Sequence, residues 1–159
     1  MIDLAAALGW GAAATAALSV VMGASQGLGW SRMSLPYLIG TMFASDRRRA
    51  MQVGFLVHAV VGLVFALGYA LAFDAWGRAG PWVGAGLGLL HGVFVLVVGV
   101  ELLAAIHPRM ATRHEGPVAR RRLEPPGFLG LNYGRSTPWV TLLAHVAYGA
   151  ILGAWYPVA

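Results

Sequence analysis

The chain contains no cysteine, no lysine and few charged residues of either sign. Without cysteine it has no disulfides, no thiolate metal sites, no iron–sulfur clusters and no cysteine nucleophile. Charged residues make up 11% of the 159 residues and hydrophobic residues 58%, whereas a soluble domain is about 25% charged and about 45–50% apolar. An ordinary water-soluble globular domain is therefore excluded, and the length fits a single domain over residues 1–159.

The basic residues are all arginine, and with six acidic residues they give a formal net charge of +5 and a pI of about 10.5. Taken alone, that pI suggests nucleic-acid binding. However, ten of the eleven arginines lie in two stretches, 25–50 and 107–136. Because both stretches connect long apolar segments, the arginines indicate an orientation in a membrane, and no nucleic-acid partner is expected.

Four stretches are long and apolar enough to cross a bilayer, which takes about 20 mostly apolar residues. They run over 4–24, 51–73, 81–106 and 137–156, and none of them contains an arginine. A soluble bundle of the same helices would need polar outer faces, which these stretches lack. The sequence therefore predicts an all-α polytopic membrane protein with a four-helix transmembrane bundle.

The arginine distribution also predicts which way the spans run. The two long connections carry ten arginines, the connection between the second and third spans carries only Arg78, and neither tail carries one. Cytoplasmic connections carry the excess of basic residues, so 25–50 and 107–136 are predicted to be cytoplasmic and both termini periplasmic, in a bacterial inner membrane. Tryptophans near the predicted span ends fit an aromatic belt: Trp30, Trp76, Trp82, Trp139 and Trp155.

A short helix is predicted inside the first long connection, at residues 34–45. Its apolar residues recur at the spacing of one helical face: Leu35, Leu38, Ile39, Met42 and Phe43. Ser34 suits the N-cap position and Pro36 the first turn. Because the segment is too short to span, we expect an amphipathic helix on the cytoplasmic interface, with an ordinary structured loop as the alternative.

Membrane lipids are expected partners of the cytoplasmic side. Arginines near an anionic surface contribute about 1 kcal/mol each. The residues predicted to bind headgroups are Arg47, Arg48, Arg49, Arg120, Arg121 and Arg122. The glycine-rich stretch 127–134, which follows Pro125 and Pro126, is predicted to run along or dip into the same interface.

The second and fourth spans share the pattern His-x3-Gly-x3-small-x2-Tyr. It reads His58, Gly62, Ala66, Tyr69 in the second span and His145, Gly149, Gly153, Tyr156 in the fourth. This pattern predicts two tandem two-helix repeats related by an axis along the membrane normal, with chance similarity of two apolar stretches as the alternative. Small residues at four-residue spacing predict close helix packing.

Ionisable groups at membrane depth are costly, so each of them is a functional hypothesis. With a rise of about 1.5 Å per residue, His58, His145 and Glu101 lie about 8–12 Å inside the cytoplasmic ends of their spans. His91 lies nearer the midplane. The sequence therefore predicts that three helices bring ionisable groups into one layer of the cytoplasmic half.

Three interpretations of this layer stay open. In the first, each histidine donates a hydrogen bond to a neighbouring helix, and Glu101 pairs with a histidine or with Arg109. In the second, His58 and His145 bind a metal or a b-type haem, because neutral imidazoles at one depth suit bis-histidine ligation. In the third, Glu101 and the membrane histidines, His91 included, relay protons or ions, since the usual histidine pKa is near 6.5. Four unbroken spans would make a poor transporter on their own.

The remaining histidines, His107 and His114, lie among arginines outside the spans and are predicted to be solvated. His107 also marks a helix exit because the residue before a proline is biased away from helix. The chain has no serine–histidine–aspartate pattern, no glycine-rich phosphate loop followed by lysine and no HExxH. No catalytic residue is therefore assigned.

The closing segment, TPWVTLLAHVAYGAILGAWY at 137–156, resembles the last span of a family of small, uncharacterised four-helix bacterial membrane proteins. The segment IGTMF at 39–43, followed by a span with His58 and Gly62, is similar to that family's second span. The resemblance implies a four-helix fold in a bacterial inner membrane and brings no catalytic residues. The arginine-rich insert 109–124 is longer than is usual in the family.

Together these features predict a non-enzymatic accessory or structural subunit of a larger membrane complex, with other membrane subunits as partners. Two other classes compete with it. One is a small haem- or metal-bearing electron carrier that uses His58 and His145, and the other is a proton or ion relay through Glu101 and the membrane histidines.

Overall fold

A computed structural model describes residues 2–111, 117, 119 and 121–158 of the chain. The described residues form no strand, which confirms the predicted all-α class. The helices are α1 (Leu4–Gly27), α2 (Leu35–Gly40), α3 (Arg47–Trp76), α4 (Pro81–Ile106) and α5 (Thr137–Trp155), with a 3₁₀ helix at Phe128–Tyr133 before α5. The four long helices confirm the prediction of four segments long and apolar enough to span a membrane.

The four long helices form a bundle in which α1 packs against α3 and α5, and α5 packs against α4. Direct contacts between the diagonal helices α3 and α5 are sparse. Neighbouring helices run antiparallel, since Gly11 meets Ala66 while Thr15 meets Gly62. Helix α1 thus packs against both α3 and α5, and the most extensive contact of the bundle is that between α4 and α5.

Local sequence explains where the helices begin and end. Asp3 caps α1 by accepting a 2.9 Å hydrogen bond from the Ala6 N–H, and Asp46 caps α3 by accepting one of 2.9 Å from the Arg49 N–H. Helix α3 ends at Gly77, whose φ of 62° lies in the left-handed region that glycine adopts without strain.

Helices α4 and α5 approach so closely that only glycine fits between them. A Cβ at Gly84 would collide with the carbonyl oxygen of Gly149, and a Cβ at Gly88 would collide with that of His145. Lipid tails are as apolar as leucine, so helices in a membrane gain most from such close backbone contact. The small residues at four-residue spacing therefore make the contact that their pattern predicts.

The buried Tyr148 links α5 across the bundle to α3. Its side chain is 1% exposed, and its hydroxyl donates a hydrogen bond to the carbonyl oxygen of Gly62. Its ring also lies edge to face with Tyr69 of α3, with centroids 5.4 Å apart. Tyr148 thus supplies much of the contact between two helices whose backbones stay apart.

Replacing Tyr148 by phenylalanine should lower the free energy of unfolding by about 1 kcal/mol, because a hydrogen bond is lost while the ring stays. Reversible unfolding in detergent micelles measures the change. The control is Tyr37→Phe, since the Tyr37 hydroxyl makes no hydrogen bond within the described residues. Equal losses of stability in the two variants would contradict a stabilising hydrogen bond from the Tyr148 hydroxyl.

The short helix predicted at 34–45 is helical over Leu35–Gly40 and is followed by a turn. It lies across the start of α3, where a Cβ at Gly40 would collide with the carbonyl oxygen of Ala50. Most of its apolar residues pack on the core of the bundle, and Phe43 is exposed. Helix α2 thus covers one end of the bundle with its apolar face turned inward.

Helix α4 changes from α to π geometry at Val95–Gly99. The wider π turn keeps Leu96 and Val100, four residues apart, on the buried side of the helix. The apolar pattern of the sequence does not predict this segment. Such π turns are frequent at functional sites.

The outer surface of the bundle is apolar. In the most hydrophobic stretch of α4 only 17% of the residues are buried inside the protein, against 50% in α5. Large exposed apolar surfaces indicate contact with a membrane or with other proteins. The tryptophans near the helix ends are all exposed: Trp30, Trp76, Trp82, Trp139 and Trp155.

Candidate functional site

Two histidines of the apolar segments meet in an aromatic cluster between α3, α4 and α5. The rings of His91 and His145 lie edge to face, with centroids 4.7 Å apart. His91 also stacks on Phe65 at 3.9 Å, and its Nδ1 is hydrogen-bonded to the Tyr69 hydroxyl at 3.3 Å. The position of His91 is therefore fixed by three neighbours.

His145 is buried and held by its own helix. Its Nδ1–H donates a 2.7 Å hydrogen bond to the carbonyl oxygen of Thr141. In the neutral ring this bond leaves Nε2 as a hydrogen-bond acceptor. An Nδ1–H bonded to a carbonyl is also the arrangement that orients histidine ligands.

His58 and His145 line the same cavity, which has a volume of about 140 Å³ and lies between α1, α3 and α5 under α2. The structure thus brings together the two residues that the sequence singles out as a pair. Among the described residues no charged side chain lines the cavity; its polar residues besides the histidines are Ser19, Gln26, Ser34 and Thr141. The hydroxyl of Thr141 is buried and has no hydrogen-bond partner among the described residues.

Thr141 was not singled out from the sequence as a site residue, although one signal points to it. It precedes His145 by four residues and therefore lies on the same face of α5. That spacing predicts close helix packing, and the structure shows that the same face also borders the cavity.

Glu101 does not join the histidines. Its side chain is exposed on the outer face of α4, with neither a hydrogen bond nor an ion pair to any described residue. Arg109, one predicted partner, instead donates to the carbonyl oxygen of Ala44. The structure thus buries His145, leaves His58 and His91 half-buried, and leaves the Glu101 carboxylate exposed.

The prediction that His107 is solvated is wrong, because its side chain is 2% exposed. Nδ1 accepts a 3.0 Å hydrogen bond from the Arg109 N–H, and Nε2 lies 3.0 Å from the Leu38 carbonyl oxygen and 3.1 Å from Thr41 Oγ1. His107 therefore joins the end of α4 to α2. His114 lies outside the described residues.

The surroundings of His107 lower its pKa. Burial lowers it most, the hydrogen bond to Leu38 raises it, and the positive charge of Arg109 lowers it again. Since the usual histidine pKa is about 6.5, His107 is neutral at pH 7. Leu38 and Thr41 of the first long connection contact His107 at the end of α4. No local pattern in the sequence predicts this tertiary contact or the burial of His107.

The arginines predicted to bind headgroups lie at the α2 end of the bundle where they are described. Arg47, Arg48 and Arg49 form the first turn of α3 and are exposed. Arg122 is exposed and Arg121 half-buried, while Arg120 lies outside the described residues. Arginine at a helix N-terminus opposes the helix dipole, and the Asp46 carboxylate that caps α3 offsets only part of the positive charge of the three arginines.

The size of the cavity limits what His58 and His145 can hold. A cavity of about 150 Å³ accommodates one benzene ring, and a porphyrin is several times larger. A haem between these histidines would therefore require the helices to separate. Among the described residues no group of three or more histidine, aspartate or glutamate side chains is arranged to hold a metal ion.

Comparisons with protein-family models, curated proteins and solved structures give no match for this chain. What the fold defines is a class: the described residues form an all-helical bundle with four helices suited by length and apolarity to a multi-pass membrane protein.

Proposed function

We propose that this protein is a non-enzymatic accessory subunit of a larger complex in a bacterial inner membrane. The observation that carries the proposal is the position of Glu101, which is exposed on the outer face of an apolar helix. It lies five residues from the end of α4, about 7.5 Å inside the span at about 1.5 Å per residue. A carboxylate facing lipid is unfavourable, by up to about 3 kcal/mol near the bilayer centre.

The partner that suits this face is a spanning helix of another subunit with an arginine, lysine or histidine at matching depth. Its cation would pair with Glu101, which has no counter-charge among the described residues. The rest of the face consists of exposed apolar residues suited to helix packing: Leu90, Phe94, Val97, Val98 and Leu102. Few residues of α4 are buried inside the chain, which leaves this side open to a partner.

Replacing Glu101 by leucine should reduce the recovered complex at least tenfold, because the partner's cation loses its counter-charge. The measurement is native mass spectrometry after gentle extraction from the native membrane, with a photo-crosslinker at Val98 to mark the contact. The control is Glu124→Gln, which removes an exposed carboxylate outside the long helices, 3.6 Å from Arg32.

Support requires one stoichiometric partner that cross-links from position 98, but not from Leu71 on the exposed side of α3, and that is lost in Glu101→Leu. A lone monomer, or a complex that survives the substitution unchanged, would overturn the proposal.

The proposal includes an orientation with the long connections in the cytoplasm and both termini outside. The arginine cluster at the start of α3 supports it, since anionic headgroups would offset its unfavourable position at a helix N-terminus. Membrane lipids are thus the second proposed partner.

Tandem duplication of a two-helix unit is part of the same proposal. Gly62 of α3 packs against Thr15 of α1, and Gly149 of α5 packs against Gly84 of α4. Equivalent glycines in the repeated pattern therefore make equivalent contacts within each antiparallel pair. This correspondence supports two parallel copies related by an axis along the membrane normal.

A cofactor-bearing electron carrier is the second candidate function, because His58 and His145 line one cavity. The small volume of that cavity weighs against a haem. Purified protein would then show a Soret band or a stoichiometric metal, and His58→Ala and His145→Ala would each abolish it. A proton relay through Glu101 has less support, because Glu101 and the histidines lie on different sides of α4.

A further inference from the structure

The cavity at His58 and His145 adjoins a groove on the outer surface of the bundle. The groove lies between α1 and α3 and has a volume of about 400 Å³. Ser19, Phe55 and His58 line both spaces. The groove walls are otherwise small or apolar: Ala12, Thr15, Ala16, Ala59 and Leu63. A molecule dissolved in the membrane could therefore place a tail in the groove and a head in the cavity.

The size and polarity of the cavity define that head. About 140 Å³ suits a single six-membered ring. In the part of the chain that the structure describes, no arginine, aspartate or glutamate lines the cavity, and an ionised phosphate buried without a counter-charge is strongly unfavourable. The head is therefore a neutral ring and not a phospholipid headgroup.

Three polar groups in the cavity wall have unused hydrogen-bonding capacity. Thr141 Oγ1 is buried without a partner among the described residues. In the neutral ring of His145, Nε2 is an acceptor because Nδ1–H is bonded to the Thr141 carbonyl. Neither ring nitrogen of His58 is hydrogen-bonded in the described part of the chain. A ring with hydroxyl groups would satisfy all three, because a hydroxyl can donate to His145 Nε2 and accept from Thr141 and His58.

We propose that the cavity and groove together bind a lipid-soluble ring of the isoprenoid quinol class. Its ring oxygens are held by Thr141, His145 and His58, and its isoprenoid tail lies in the groove between α1 and α3. Val95, at the start of the π segment of α4, forms part of the cavity wall, so the irregular helix turn borders the ligand. Glu101 lines neither the cavity nor the groove. The proposed binding of a quinol therefore does not depend on the partner subunit proposed above.

The test uses the full chain in nanodiscs with 2-geranyl-1,4-benzoquinol, whose ring carries no other substituent, and its oxidised quinone as probes. Quenching of tryptophan fluorescence measures binding, and native mass spectrometry measures its stoichiometry. The blocking variant is Gly23→Leu, because Gly23 lines the cavity and a Cβ there has nothing within 4 Å. The matched control is Gly9→Leu, at a glycine of the same helix that is equally open and lies away from the cavity.

We expect saturable binding of one probe molecule per chain, at least tenfold weaker in Gly23→Leu and unchanged in Gly9→Leu. Thr141→Val, which keeps the shape and removes the hydroxyl, should weaken binding about fivefold, the effect of one hydrogen bond. Three results would overturn the proposal: no saturable binding of the quinol, binding insensitive to Gly23→Leu, or a phospholipid in the cavity that excess quinol does not displace. Loss of the partner complex in Glu101→Leu would leave this binding intact, so the two proposals fail separately.

Discussion

Replacing Gly84 by alanine should lower the free energy of unfolding by about 3 kcal/mol, whereas replacing Gly86, two residues further along α4, should not lower it at all. A Cβ at Gly84 collides with the carbonyl oxygen of Gly149, which belongs to the backbone of α5 and cannot rotate away. The two helices must separate, and every other contact along them loosens. Overpacking costs about 1–3 kcal/mol in ordinary cores, and a collision with backbone lies at the upper end.

Gly86→Ala is the matched control because a Cβ at Gly86 has nothing within 4 Å. There the substitution reduces only the freedom of the unfolded chain, and alanine in a helix is favoured over glycine by about 0.5–1 kcal/mol. Reversible unfolding in micelles measures both variants. If they behaved alike, the close approach of α4 and α5 would be refuted.

His107→Leu should lower the free energy of unfolding by about 1–3 kcal/mol. Leucine fills the space but leaves the Arg109 N–H without its partner, and a buried unpaired group costs about 1–3 kcal/mol. The Leu38 carbonyl keeps the hydrogen bond that it accepts from the Thr41 hydroxyl. The control is His58→Leu, the same substitution at a histidine that makes no hydrogen bond to the described residues. Equal losses in the two variants would show that His107 fills space only.

The destabilisation by His107→Leu should also depend on pH. The pKa of His107 is lowered in the folded protein, so the folded state binds fewer protons than the unfolded state. The stability that depends on neutral His107 is therefore complete above about pH 6.5, the usual histidine value, and is lost as pH falls below it. The difference in free energy of unfolding between wild type and His107→Leu should therefore become smaller from pH 7.5 to pH 5. A difference that stays constant over this range would refute the lowered pKa of His107.

The four long helices could be predicted from sequence because length and apolar content are local properties. The packing residues could be predicted too: glycines at four-residue spacing lie on one helix face, and Gly84 and Gly88 do meet α5. In contrast, depth along the chain places Glu101 level with His58 and His145 but does not say which way its side chain points. Rotation of α4 against α5 turns that carboxylate outward.

The sequence by itself thus determined the class of fold, the four apolar helices and the small residues through which they pack. Tertiary structure alone decided that His58 and His145 share a cavity with an unpartnered Thr141 hydroxyl, that α4 contains a π turn, and that His107 is buried. The physical reason is that composition and periodicity act within one helix. Cavities, exposed carboxylates and buried loop histidines arise from the rotation of helices against each other and from connections that fold back over their ends.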